Sequence, residues 1–143
     1  CMTSKAESIA AAVHAALSSP AMASVPAARV FRDLHGALQS DLLPAVAVET
    51  GDEDPPVRVV IGHKERTTEV RVIVVAQGAY SAADPAIVEA FDRLAADPTL
   101  GGLVFELDEG ATRRERETGE RQLVAVTKIF RAQYRTTESS LES

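Results

Sequence analysis

The chain has 143 residues, a formal net charge of −6 and a sequence pI near 5.1. This length predicts one domain, and a hydrophobic content of 45 % is enough for a core without metal or disulfide support. The acidic balance and an aromatic content of 4 % without tryptophan argue against generic nucleic-acid binding, which needs basic surfaces and stacking platforms.

The first predicted element is an amphipathic helix over residues 5–18. Ser4 and Glu7 have the spacing of a capping box, and apolar residues recur behind them at helical intervals. Pro20 cannot continue the helix, so a loop follows. Residues 29–31 are predicted as a short strand, and residues 34–43 as irregular.

Three further strands are predicted before the next helix. Residues 45–49 form a β-branched run, and residues 57–61 and 67–77 have the pattern of a hairpin. In residues 67–77 both faces are apolar at the centre, so we expect this strand to be covered on both sides.

The second helix is predicted over residues 85–96, with Asp84 as its N-cap and Pro85 at its first position. Strands follow at residues 103–107 and 122–134. The order α, β, β, β, β, α, β, β predicts an α+β domain over residues 1–135, in which two helices cover a mainly antiparallel sheet. Residues 136–143 are predicted to be a polar tail.

Residues 108–121, between the last two strands, hold five acids and four arginines and no large apolar residue. We expect this segment to be a long charged hairpin loop that stays out of the core. It is either a solvated loop whose charges cancel, or a polar interface that recurs around a ring of subunits. The candidate interface residues in it are Arg113, Arg114, Arg116, Arg121, Glu115 and Glu117.

A second acidic group, Asp52, Glu53 and Asp54, lies in a predicted exposed loop over residues 51–56. These carboxylates could face a hard cation, but the alternating ligand pattern of a calcium loop is missing. We interpret the group as a solvated loop and add its three residues to the candidate interface.

No catalytic, cofactor or metal site is predicted. The histidines His14, His35 and His63 lie on unrelated segments, and His14 is expected to be exposed because it is off the apolar stripe of its helix. Cys1 is the sole cysteine, which excludes an intrachain disulfide and a CxxC zinc site and favours a reducing compartment. The apolar runs are too short for a membrane helix. An enzyme using His63 or the carboxylates of residues 52–54 remains the alternative from another class.

Residues 29–33 read RVFRD, and after a spacer residues 42–53 read LLPAVAVETGDE. This pattern resembles the tail terminator proteins of long-tailed bacteriophages, of the minor tail protein U type. In that family a V-[FY] strand is followed, after a spacer, by LPAxxV and an acidic loop. The order and spacing of elements are similar over most of the chain, although His35 and Gly36 stand where a proline-containing turn is common.

The resemblance implies a structural protein and not an enzyme. Such proteins form a hexameric ring on the head-proximal end of the tail tube, stop tube polymerisation and provide the surface for head attachment. The implied partners are further copies of the chain, the tail tube protein and the head–tail connector, with neither nucleic-acid specificity nor a membrane. The implied location is the virion tail, assembled in the bacterial host cytoplasm. A head–tail neck or completion protein of the same structural class is the alternative.

Overall fold

The computed structural model describes residues 4–18, 25, 29–32, 44–97, 99–102, 104–117 and 122–137. The elements in chain order are α1 (Lys5–Ser18), β1 (Val30–Phe31), β2 (Ala45–Glu53), β3 (Val57–Val60), β4 (His63–Gln77), a 3₁₀ turn (Tyr80–Ala82), α2 (Asp84–Ala96), β5 (Glu106–Glu117) and β6 (Leu123–Thr137). The predicted order of helices and strands and the α+β class are confirmed.

The strands form one mixed sheet in the order β1-β2-β4-β6-β5, and β3 pairs with β4 beyond the end of β2. All pairs are antiparallel except β1 with β2. β4 and β6 pair along their whole length of 15 residues. At about 3.3 Å per residue this central ribbon is roughly 50 Å long. One end of it carries the helices, and the other end carries the β3–β4 hairpin.

The larger core lies between the sheet and the two helices. Alternate strand residues point to this face, because the side-chain period of a strand is two. Its buried side chains include Ile9, Val13 and Leu17 of α1, Ala90 and Leu94 of α2, and Val48, Val72, Val74, Val126 and Phe130 of the sheet.

The opposite face of the sheet has a smaller buried cluster, formed by Ala45, Ala47, Ile73, Val75 and Leu123. The predicted covering of the 67–77 strand on both sides is therefore confirmed. Farther along the same face the pairs become charged, with Arg131 directly across from Glu69 on one side and from Asp108 on the other. Alternating opposite charges of this kind stabilise neighbouring strands modestly.

α1 has its predicted bounds. Ser4 Oγ accepts a hydrogen bond of 3.2 Å from the Glu7 backbone N–H, which is one half of the capping box. The Glu7 carboxylate pairs with Arg32 at 2.5 Å instead of reaching back to the helix start. The expectation that His14 is exposed is wrong: the ring is half-buried and its Nε2–H donates to Val30 O at 2.9 Å, which ties α1 to β1.

α2 begins one residue earlier than predicted, at Asp84. The N-cap is Ala83, whose backbone is already in the helical region and which makes no side-chain capping bond. The predicted N-cap role of Asp84 is therefore wrong, because the 3₁₀ turn leads directly into the helix. Asp84 lies in the first turn, where its carboxylate favours the positive end of the helix dipole. With 14 and 13 residues, neither helix in the described part of the chain is long and apolar enough to cross a membrane.

The prediction that residues 108–121 form a loop is wrong for residues 108–117, which belong to β5. This strand starts at Glu106, later than the predicted residue 103, and pairs with β6 along most of its length. An edge strand needs only its backbone to pair, so charged and exposed side chains are tolerated there and discourage unwanted pairing. The expectation that these charges stay out of the core holds for Arg113–Arg116, and residues 118–121 lie outside the described part.

Three strands extend farther than predicted. β2 continues to Glu53, so two of the predicted loop acids are strand residues. β4 begins at His63, which leaves a hairpin turn of two residues, Ile61 and Gly62. β6 continues to Thr137, two residues into the predicted tail. Because β4 and β6 pair with each other over long range, both strands continue beyond the residues that have an apolar strand pattern. Residues 34–43 and 138–143 lie outside the described part.

Candidate functional site

The structure places the two sets of candidate interface residues on different strands and at different positions along the sheet. Arg113 is opposite Thr127 on the β5 edge, whereas the Asp54 N–H donates to Thr67 O, beside Gln133. The two positions are six residues apart along β6, or about 20 Å, and β4 and β6 separate β5 from β2. Within one subunit they are therefore two surfaces and not one site.

On β5 the four residues Arg113–Arg116 are all exposed and alternate between the faces of the sheet. Arg114 and Arg116 are opposite Val126 and Val124, on the face that bears the helices. The Arg116 guanidinium carbon lies 5.1 Å from the centre of the Tyr80 ring, a cation–π contact that holds the side chain along the sheet. Glu115 is opposite Ala125 on the other face. Glu117 ends the strand opposite Leu123, and Arg121 lies outside the described part.

At the end of β2, Glu53 is engaged within the chain. Its carboxylate accepts a hydrogen bond from the Tyr134 hydroxyl, whose ring is buried among the core residues. Burial raises the pKa of Tyr134 well above its ordinary value, and the hydrogen bond to Glu53 adds to this because it favours the protonated phenol. Arg66 donates to Thr136 Oγ1 at 2.8 Å beside this pair. Glu53 therefore anchors the end of β2 to β6.

The other two acids of this group face the opposite side. The Asp54 carboxylate pairs with Arg131, and both side chains are about half exposed. Asp52 lies 3.8 Å from the Arg71 guanidinium and is 92 % exposed. Of the three predicted acids, Asp52 is thus the most accessible to a partner. The interpretation of residues 51–56 as a solvated loop is wrong for residues 51–53, which are strand residues, although the carboxylates of Asp52 and Asp54 do face solvent.

An apolar hairpin end was not predicted from the sequence. Ile61, in the two-residue turn between β3 and β4, is 94 % exposed, and Val57 at the start of β3 is 61 % exposed. Isolated apolar residues on a surface are common, but a nearly fully exposed isoleucine at a projecting turn is a candidate contact. The sequence signal was the isoleucine directly before Gly62, which the hairpin prediction had placed inside the strand.

A groove between α2 and the β5 edge was not predicted from the sequence either. We call it the α2–β5 groove, and its principal lining residues are Ile87, Val88, Phe91, Leu107, Glu109 and Lys128. The part beside Val88 has a volume of about 360 Å³, and Val88 itself is 59 % exposed.

Lys128 forms the polar floor of this groove. It lies on the face of β6 that bears the helices, between Val126 and Phe130, and its side chain is only 12 % exposed. The ammonium donates to the Glu109 carboxylate and, at 3.0 Å, to Thr112 Oγ1, and it lies 6.0 Å from the centre of the Phe91 ring. This lysine is therefore fully partnered, and it fixes Glu109 at the rim of the groove.

Among the residues that the structure describes, no group of three or more His, Cys, Asp or Glu side chains could hold a metal ion. His14 is bonded to β1, His63 is exposed at the start of β4, and His35 lies outside the described part. The features that distinguish the surface are charge at two edges of the sheet, the exposed hairpin end and the α2–β5 groove. Apolar residues surrounded by polar and charged ones are also common in protein–protein interfaces.

No protein-family profile matches the sequence, and no curated protein matches it. Among solved structures, 23 chains match. One belongs to a structure described as "Virion of native gene transfer agent (GTA) particle". It has a TM-score of 0.63 and 17 % sequence identity, and the match covers 90 % of this chain and 95 % of that chain. The similarity shows that the two chains share a fold over nearly their whole lengths.

Proposed function

We propose that this protein is a structural component of a phage-like virion and acts as a tail terminator. In this role it forms a hexameric ring on the head-proximal end of the tail tube, stops tube polymerisation and offers the surface for head attachment. The observation that carries the proposal is the fold shared with a chain of a gene transfer agent virion. The more specific role of tail terminator is proposed because residues 29–33 and 42–53 resemble that family.

The surface chemistry supports assembly into a ring. A closed ring of identical subunits uses two different surfaces of each copy, and these must be complementary. The β5 edge presents exposed Arg113, Arg114 and Arg116, while Asp52 and Asp54 lie about 20 Å away along the sheet. Opposite charges on separate surfaces suit a head-to-tail contact and disfavour a contact between two like surfaces.

The test measures assembly and capping with purified protein. Light scattering and negative-stain images should show a six-membered ring, alone or after mixing with tubes assembled from the tail tube protein. Tubes polymerised in its presence should stop growing, with the protein at one end only. A protein that stays monomeric at high concentration and with tubes, and leaves tube growth unchanged, contradicts the proposal.

The same test separates the neck or completion role. A neck protein binds the portal side of the connector and leaves tube polymerisation unchanged, so binding to purified portal rings without tube capping would favour it. Capping without portal binding favours the terminator. Both roles are non-enzymatic, so neither needs a histidine for catalysis.

A further inference from the structure

We infer that Lys128 sets the register of β5 and so decides which charged side chains of this edge strand lie on the face of the sheet that bears the helices, here called the helix face. The inference rests on the proposed function, because it concerns how the β5 edge presents its charges to a neighbouring subunit. Lys128 acts on that edge through its hydrogen bonds to β5, so it is a positioning residue.

The first step is that β5 contains a bulge relative to β6. Glu109 is opposite Phe130 and Thr112 is opposite Lys128, so three steps along β5 match two steps along β6. One residue of β5 is therefore extra at this point. Because side chains alternate along a strand, every β5 residue after the bulge lies on the opposite face from the one that strict alternation from Glu109 would give.

The second step is that Lys128 bonds to the residues on both sides of this bulge. Its ammonium donates to the Glu109 carboxylate and, at 3.0 Å, to Thr112 Oγ1. The Lys128 side chain is only 12 % exposed and lies against Phe91 of α2. A charged group with so little access to water depends on such partners, so the two bonds hold the bulge in place.

The third step is that the bond to Thr112 exists only with the bulge. Continuous pairing from Glu109 onwards would place Ala111 opposite Lys128 and Thr112 opposite Thr127. Thr112 would then point away from the helix face, and the ammonium would lose its second acceptor. The register with the bulge is therefore the one in which Lys128 is fully bonded.

A contact farther along β5 is made in the same register. Arg116 is opposite Val124, and its guanidinium carbon lies 5.1 Å from the centre of the Tyr80 ring on the helix face. Without the bulge Arg116 would be opposite Leu123 and would point away from Tyr80. Arg116 is exposed, so this contact supports the register less strongly than the mostly buried ammonium of Lys128 does.

The register decides the charge that each face of the β5 edge presents. With the bulge, Arg114 and Arg116 lie on the helix face, whereas Arg113 and Glu115 lie on the other face with opposite charges. A slip of one residue would exchange the two sets. Since charges at an interface select the partner surface and fix its register, a slipped β5 would present the wrong pattern to a neighbouring subunit.

The experiment reads the register with engineered cysteine pairs in a Cys1→Ser background, at concentrations too low for ring formation. Glu115→Cys and Ala125→Cys are opposite each other when the bulge is present. Arg114→Cys and Ala125→Cys would be opposite each other only without it. With Lys128 intact, mild oxidation should link the first pair and not the second, because side chains on opposite faces of a sheet cannot form a disulfide.

Lys128→Met keeps a long side chain against Phe91 and removes the ammonium. In this background the link between positions 115 and 125 should fall at least fivefold, and the link between positions 114 and 125 should appear. Thr112→Val should shift the pattern in the same direction, whereas Thr112→Ser keeps the hydroxyl and should not.

Lys64→Met is the matched control, because Lys64 lies on β4 and pairs with β3 and with the end of β6 that β5 does not reach. It should leave the cross-linking pattern unchanged. In chains without the engineered cysteines, Lys128→Met should form at least tenfold fewer rings than Lys64→Met.

The outcomes separate this inference from the proposed function. A cross-linking pattern that is unchanged in folded Lys128→Met overturns the inference, whatever happens to the ring, and Thr112→Val decides in the same way if Lys128→Met does not fold. A shifted pattern with rings as abundant as in the parent overturns the effect of register on assembly. A parent protein that is strictly monomeric with tubes present overturns the proposed function, while the cross-linking pattern still decides whether Lys128 sets the register.

Discussion

At the scale of single residues, the contact between Tyr134 and Glu53 decides how the end of β2 is held. The hydroxyl is the only polar atom of a ring that otherwise packs in the core, and it donates to a carboxylate at the sheet surface. A buried hydroxyl without a partner is costly, so the pair explains why a tyrosine can occupy this core position.

This pair predicts a stability that depends on alkaline pH. The pKa of Tyr134 is raised in the folded state, so its contribution is fully present below the ordinary tyrosine pKa of about 10. Above that pH the unfolded chain loses the phenol proton first and the folded state loses stability. Urea unfolding of Tyr134→Phe should show a loss of about 1–2 kcal/mol at neutral pH. Its stability should also fall less steeply than that of the parent above pH 10.

Tyr80→Phe is the matched control, because it removes the only other tyrosine of the chain. Its stability should fall above pH 10 with the same slope as the parent. An unchanged alkaline slope in Tyr134→Phe would contradict the assignment of this dependence to Tyr134.

At the scale of elements, β5 is the strand whose sequence says least about its structure. It has almost no apolar side chains, and it is held by pairing with β6. The pairing shifts register between Glu109 and Thr112, where Gly110 lies against the Ile129 carbonyl. A bulge of this kind adds one residue to the edge strand and changes which side chains face the helices.

The bulge predicts a requirement for glycine at position 110. A Cβ there would come within 2.9 Å of the Ile129 carbonyl oxygen, which belongs to the backbone and cannot rotate away. Gly110→Ala should therefore destabilise the fold by about 1–3 kcal/mol in urea unfolding. Ala111→Gly, at the exposed neighbouring position, should cost under about 1 kcal/mol. Equal small effects of both substitutions would show that the strand can shift its register freely.

At the scale of the whole molecule, the exposed arginines of β5 allow the proposed assembly to be tested separately from folding. Arg113, Arg114 and Arg116 are exposed on an edge strand and add little to the core. Surface substitutions away from caps and buried contacts usually change stability by under about 0.5 kcal/mol each. The same residues would act on association, because charges at an interface steer partners and fix register.

Replacing all three arginines by glutamate tests this separation. The free energy of unfolding should change by about 1–2 kcal/mol at most, whereas ring formation and tube capping should be lost and should not return on raising the salt concentration. The parent ring should weaken as salt rises. Replacing the exposed Arg135 by glutamate is the control for charge reversal away from the β5 edge and should spare assembly. Unimpaired rings in the Arg113, Arg114 and Arg116 variant would exclude the β5 edge from the interface.

The sequence by itself determined the order of the elements, both bounds of α1 and the end of α2. α1 matched its prediction over residues 5–18, because capping and apolar spacing are local signals that depend only on nearby residues. The apolar centre of β4 likewise predicted covering on both faces, and the family resemblance supplied a role to propose.

Only the tertiary structure decided where the charged residues and the exposed apolar residues lie on the surface. The β5 strand, the separation of Asp52 from Arg113 and the groove beside Val88 all depend on the register between β6 and its two neighbours. Register is set by residues far apart in the chain, and a charged edge strand has no local pattern that reveals its pairing. The exposure of Ile61 was hidden for the same reason, since a β-branched residue before a turn has the same local pattern whether it is the last strand residue or the tip.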